Sequence, residues 1–120
     1  MKSACAANTR TVGTAAVIEL SGDVDGSAAE TLTTAYQSAV ADKEARTIVL
    51  DFAAVDYINS TGIALIVSVL AKARAEGRPV AACGLSQHYR EIFDITRLSD
   101  FIALFPDLDD VVSQLKGATA

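Results

Sequence analysis

Asp56–Gly77, DYINSTGIALIVSVLAKARAEG, is the stretch on which the reading of the whole chain turns. Asn59, Ser60 and Thr61 are all residues that cap a helix, because a side-chain oxygen accepts from a backbone N–H left free in the first turn. From Ile63 to Leu70 only Ser68 interrupts an apolar run. Lys72 and Arg74 fall in the last turns, where cations suit the helix dipole, and Gly77 is a C-terminal stop. The stretch therefore predicts a helix that starts at the hydroxyl cluster and ends near Glu76. A helix apolar on nearly every face is either buried or offers its surplus face to a partner. One or two hydroxyls thus sit where a helix dipole favours an anion, beside apolar surface.

Upstream of that helix, Arg46–Phe52, RTIVLDF, reads as a strand covered on both faces. Ala53–Ser60 is then the strand-to-helix loop, with Val55 and Ile58 turned inward. Further back, Ser21–Ser27, SGDVDGS, has the chemistry of a loop. Ser27 with Glu30 forms a capping box for a helix over Ala28–Ala41, whose Ala28, Leu32, Ala35, Tyr36, Ala39 and Val40 share one face. Ala15–Leu20, AAVIEL, is a strand, and a turn at Val12-Gly13-Thr14 pairs it with residues 4–11 as a hairpin. Downstream, PVAACG is a strand ended by Gly84, and Ser86 caps a short helix over Gln87–Thr96. Phe101–Phe105 is a last strand stopped by Pro106, Asp107 caps a helix over Leu108–Lys116, and the tail Gly117–Ala120 is frayed. Strands alternating with helices give an α/β domain: a mostly parallel four- to five-stranded sheet with an N-terminal antiparallel hairpin, packed against about four helices. Functional loops of such sheets gather at the carboxyl ends of the strands, which puts SGDVDGS and DYINSTG side by side.

A length of 120 residues fits a single domain over 1–120. Apolar residues make up 51% and charged residues 21%, a globular composition. The net charge of −5 and a pI near 4.6 argue against nucleic-acid binding, since no basic stripe exists to replace phosphate counterions. Cys5 and Cys83 form no CxxC pair and stand in no His/Cys cluster, which argues against zinc; Cys83 reads as core and Cys5 as part of a mobile N-terminus. MKSACAANTR lacks the apolar core of a signal peptide, and the longest apolar run, residues 62–71, is too short to cross a bilayer, so the expected location is the cytoplasm. Neither a cofactor nor a metal is indicated. The loop carboxylates have no ligand spacing, His88 reads as a surface histidine, and no glycine pattern fits a nucleotide loop. GxSxG is absent and no base is placed near Ser60, so an enzyme is not expected.

Three segments together, LSGDVDGSAAETL, IVLDFAAVDYINSTGIALI and GRPVAACGLSQHYREIFDITRLSDFIALFPDLDDVV, resemble the STAS domain of bacterial anti-sigma factor antagonists, over about residues 12–115. The resemblance implies a partner-switching module. Its first motif hydroxyl is phosphorylated by a serine kinase that is also the anti-sigma factor, and a serine phosphatase resets the switch. In this chain the phosphosite would be Ser60, with Thr61 as the alternate. The partner-binding residues would be Asp25, Asn59, Ser60, Thr61, Gly62 and Ile63. The chain departs from the family at Asn59, where aspartate is usual. The cap survives that change but a charge is lost, and a partner reading a carboxylate there would lose a charge-assisted bond. A second reading compatible with a STAS-like chain is a structural subunit of a lipid-transport ATPase assembly, docked without phosphorylation.

Overall fold

Gly13 turns at φ +60° between β1 (Ala6–Val12) and β2 (Ala15–Val24), which pair as the expected hairpin. A 3-10 turn over Gly26–Ala28 leads into α1 (Ala29–Ala41), followed by β3 (Thr47–Ile58), α2 (Ser60–Ala75), β4 (Val80–Cys83) and α3 (Gln87–Ile95). A second 3-10 turn, Leu98–Asp100, precedes β5 (Ala103–Phe105) and α4 (Leu108–Ala118). The computed structural model describes residues 4–41 and 44–118, so the last two residues of the expected frayed tail lie outside the described residues. The five strands form one sheet in chain order; β1 is antiparallel to β2 and every other neighbouring pair is parallel.

Strand alternation divides the core into two layers. Ile18 and Leu20 of β2, Ile48, Leu50 and Phe52 of β3, and Ala82 of β4 face α1, α2 and α3, where Leu32, Tyr36, Ile66, Leu70 and Phe93 complete the cluster. Ala15, Val17, Val49, Ala81 and Cys83 face the other way, onto Val111 and Leu108 of α4. β3 is covered on both sides at its centre, which is why RTIVLDF is apolar without alternation. Cys83 is core, as expected, and burial together with the nearby Asp51 carboxylate pushes its thiol up to about 12. It therefore stays protonated and inert at neutral pH. Cys5 is not loose: it immediately precedes β1, is half-buried and packs against the larger cluster.

α2 ends as its sequence indicates. Gly77 takes φ +72°, its N–H donates to the Arg74 carbonyl at 3.0 Å, and the Arg78 N–H donates to the Ala73 carbonyl at 2.8 Å. This is a Schellman motif, which satisfies carbonyls that the helix end would otherwise leave free. The Tyr36 hydroxyl of α1 donates to Glu76 Oε1 at 2.8 Å and ties α1 to the same corner.

Three local expectations are corrected. Ser21–Val24 is not loop but the end of β2, and Ala53–Ile58 is not loop but the end of β3. These two ends pair with each other, from Ser21↔Ala54 to Val24↔Ile58, with register shifts beside Gly22 that absorb the turn-forming residues. Pairing outweighs the local preference of Gly22, Asp23 and Asp56. The cap ahead of α1 is Asp25 rather than Ser27: its carboxylate accepts from the Ser27 N–H at 2.9 Å and from the Ser27 hydroxyl at 2.5 Å.

Candidate functional site

β4 makes its last pair with β3 at Asp51↔Cys83, but β3 runs on to Ile58, paired among the described residues with β2 alone. The two strands thus carry the start of α2 beyond the rest of the sheet. At the tip, the Asn59 N–H donates to the Val24 carbonyl at 3.2 Å, and the Ile58 N–H donates to the Tyr89 hydroxyl at 2.9 Å. Asn59 is extended (φ −96°, ψ 179°), and its Oδ1 accepts from the Gly62 N–H at 2.8 Å. Of the three residues able to cap α2, Asn59 does so. Ser60 and Thr61 are consequently spared. Both are exposed, and the Ser60 hydroxyl makes no hydrogen bond to the described residues.

The other expected site residues fall around this turn in different ways. Gly62 is buried, and a Cβ built on it would lie 1.9 Å from the Val24 carbonyl oxygen, so the helix touches the end of β2 without a side chain between them. Asp25 is 5% exposed, with its carboxylate turned into the 3-10 turn. That turn abuts α2: a Cβ at Gly26 would lie 3.4 Å from Thr61 Cγ2. Ile63 is half-buried against the core. Beyond it an exposed face of α2 continues through Ala64, Val67, Ser68 and Ala71, with Val67 42% exposed. Tyr57, 49% exposed, lies on the other side of the turn, two residues before the cap. Apolar surface therefore flanks Ser60 in both directions. His88 is exposed, with its ring edge-on to Tyr89 at 4.9 Å. Among the described residues no group of three or more His, Cys, Asp or Glu is placed to hold a metal, and no helix is long and apolar enough to cross a membrane.

The cap makes a measurable prediction. Asn59→Ala is expected to cost about 1 kcal/mol, whereas Asn59→Asp, which keeps the acceptor, should hold within about 0.5 kcal/mol. Urea denaturation of the two variants against the native chain reads the difference.

Two groups at the tip were not marked by the sequence: the Val24 carbonyl and the Tyr89 hydroxyl. The first has no side-chain signal. The second had a partial one, since Tyr89 stands four residues before Phe93 and so on the face of α3 that turns toward the core.

Residues 6–111 match the family model for the STAS domain, a range that includes β1. This chain belongs to the STAS domain family. It is 37% identical over 87 residues, 72% of each chain, to BtrV of Bordetella bronchiseptica, whose name provisionally assigns it to the anti-sigma factor antagonists. The fold is shared with a solved anti-sigma factor antagonist of Mycobacterium paratuberculosis, at TM-score 0.80 and 22% identity over 94% of this chain and 95% of that one. It is also shared with the anti-sigma factor antagonist SpoIIAA in its unphosphorylated form (TM-score 0.72, 18% identity, 93% of this chain and 99% of that one). The phosphorylated form of SpoIIAA, from Bacillus, gives TM-score 0.70 at 18% identity over 92% and 99% of the respective chains.

Proposed function

We propose that this chain is a cytoplasmic, phosphorylation-controlled binding module of the anti-sigma factor antagonist kind, with Ser60 as its switch and no catalysis of its own. Unmodified, it binds a serine kinase that doubles as an anti-sigma factor; phosphorylated at Ser60, it lets go, and a serine phosphatase restores it. Thr61 is the alternate acceptor. The observation that carries this reading is that Asn59 caps α2, which leaves Ser60 exposed at the positive end of the helix and bordered by apolar surface. Asn59, Ser60, Thr61 and Ile63 form the contact, while Asp25 and Gly62 shape the corner beneath it.

The physics supports release without refolding. A phosphate adds a charge of about −1.5 to −2. The helix N-terminus favours it locally, so the domain tolerates the group. A partner seated on the apolar face would have to desolvate it, which is costly unless a cation waits there. SpoIIAA has been solved both without and with its phosphate, and the two forms resemble this fold about equally, at TM-scores of 0.72 and 0.70.

The test is titration of the kinase with native, Ser60→Ala and Ser60→Asp chains, beside phosphopeptide mass spectrometry of the native chain after incubation with kinase and ATP. Ser60→Asp is expected to weaken binding by about tenfold or more with a nearly unchanged thermal midpoint. Equal affinity of Ser60→Asp and the native chain would defeat the reading. That is also the result that permanent docking on a membrane transport assembly would give.

A further inference from the structure

We infer that Tyr89 is a positioning residue for Ser60: its hydroxyl holds the end of β3 in place of a missing strand and thereby fixes the first turn of α2. The inference rests on the reading of Ser60 as the switch.

Among the described residues, no strand pairs with the β4 side of β3 past Asp51. The Tyr89 hydroxyl stands there instead and accepts from the Ile58 N–H at 2.9 Å. The very next amide, that of Asn59, is held from the opposite side by the Val24 carbonyl. The last two amides before α2 are thus tied in opposite directions, one to β2 and one to α3. Asn59 must hold its extended conformation for its side chain to reach Gly62, so both ties bear on the cap and on where Ser60 points. Losing either lets the strand end rotate.

Tyr89 is itself well held. It is the third residue of α3, its N–H donates to the Ser86 hydroxyl, and one turn later Phe93 is fully buried edge-on against Phe52 of β3. α3 is thereby fixed to the same strand whose end its tyrosine holds. A cleft of about 180 Å³, lined in part by Val55, Asp56, Leu85 and Ser86, borders the bond. With the hydroxyl removed, the Ile58 N–H would meet water through that cleft rather than remain buried without a partner. The loss should therefore appear as local mobility more than as global instability.

Tyr89→Phe keeps the ring and removes only the hydroxyl, the acceptor for the Ile58 N–H. Amide hydrogen exchange in this variant is expected to speed up by about tenfold at Ile58 and Asn59, while Val49 and Leu50 at the centre of β3 keep their native rates. Phosphorylation of Ser60 by the kinase should slow by about threefold or more, with a thermal midpoint close to the native one. Unchanged exchange at Ile58, or an equal rise along the whole strand, would overturn the inference, and so would a local rise with native phosphorylation kinetics. Those failures leave the switch itself standing. A native chain that the kinase does not modify would sink the switch and this inference together.

Discussion

Gly62→Ala is expected to destabilise the domain by about 3 kcal/mol or more and to lower its thermal midpoint by roughly 10 °C. Alanine is the better helix former, so on an isolated helix the change would stabilise. Here the added methyl would fall 1.9 Å from the Val24 carbonyl oxygen and 2.7 Å from its carbon. Neither atom belongs to a side chain that could swing away, and the oxygen already accepts the Asn59 N–H. Relief requires α2 to lift from the end of β2, which breaks that bond and carries Ser60 with it. Urea and thermal unfolding give the stability, and kinase titration gives the displaced docking surface. A variant within about 2 °C of the native midpoint would show that the helix does not approach β2 so closely.

Phe93→Ala should cost about 3–5 kcal/mol. Phe93 is 0% exposed, its ring meets Phe52 at 6.2 Å and 81°, and it is the buried residue of α3. Most of the other side chains on that helix face solvent, and Ile95, two residues on, is 80% exposed. As the only fully buried side chain of α3, Phe93 is its main anchor, and its loss would loosen the element and with it the Tyr89 contact to Ile58. Ile95→Ala is the control: with so little area to lose, it should change stability by less than about 0.5 kcal/mol. Denaturation midpoints for the pair decide the matter, since similar costs at both positions would contradict the packing described.

The sheet and its covering helices were legible because burial leaves a local trace. RTIVLDF lacks polar alternation, which marks it as a strand covered on both faces, and PVAACG reads as a strand ended by Gly84. The hydroxyl cluster at the head of α2 was legible for the same kind of reason, since residues that cap helices recur there. Which of Asn59, Ser60 and Thr61 would cap was not legible. The choice depends on the backbone angles of Asn59, and those are set in part by a bond to Val24, far back in the chain. The ends of β2 and β3 read as loop in the sequence for a related cause. Gly22, Asp23 and Asp56 turn readily in isolation, and only the partner strand keeps them extended. Asp25 displaced the Ser27–Glu30 box because a carboxylate two residues ahead reached the free amide first. The Tyr89 hydroxyl acts across 31 positions, where no periodicity reaches.

Because β2 and β3 outrun β4, the proposed contact points crowd onto a promontory made of two strand ends and one helical turn. Recognition of the proposed partner would then rest on a handful of positions there. The slab behind them answers chiefly to volume and greasiness, which many sequences meet equally well. A few substitutions at the headland would therefore change the choice of partner while the hinterland kept its packing. A solved structure with 22% identity to this chain shares its fold at a TM-score of 0.80, so this slab accepts wide change in sequence.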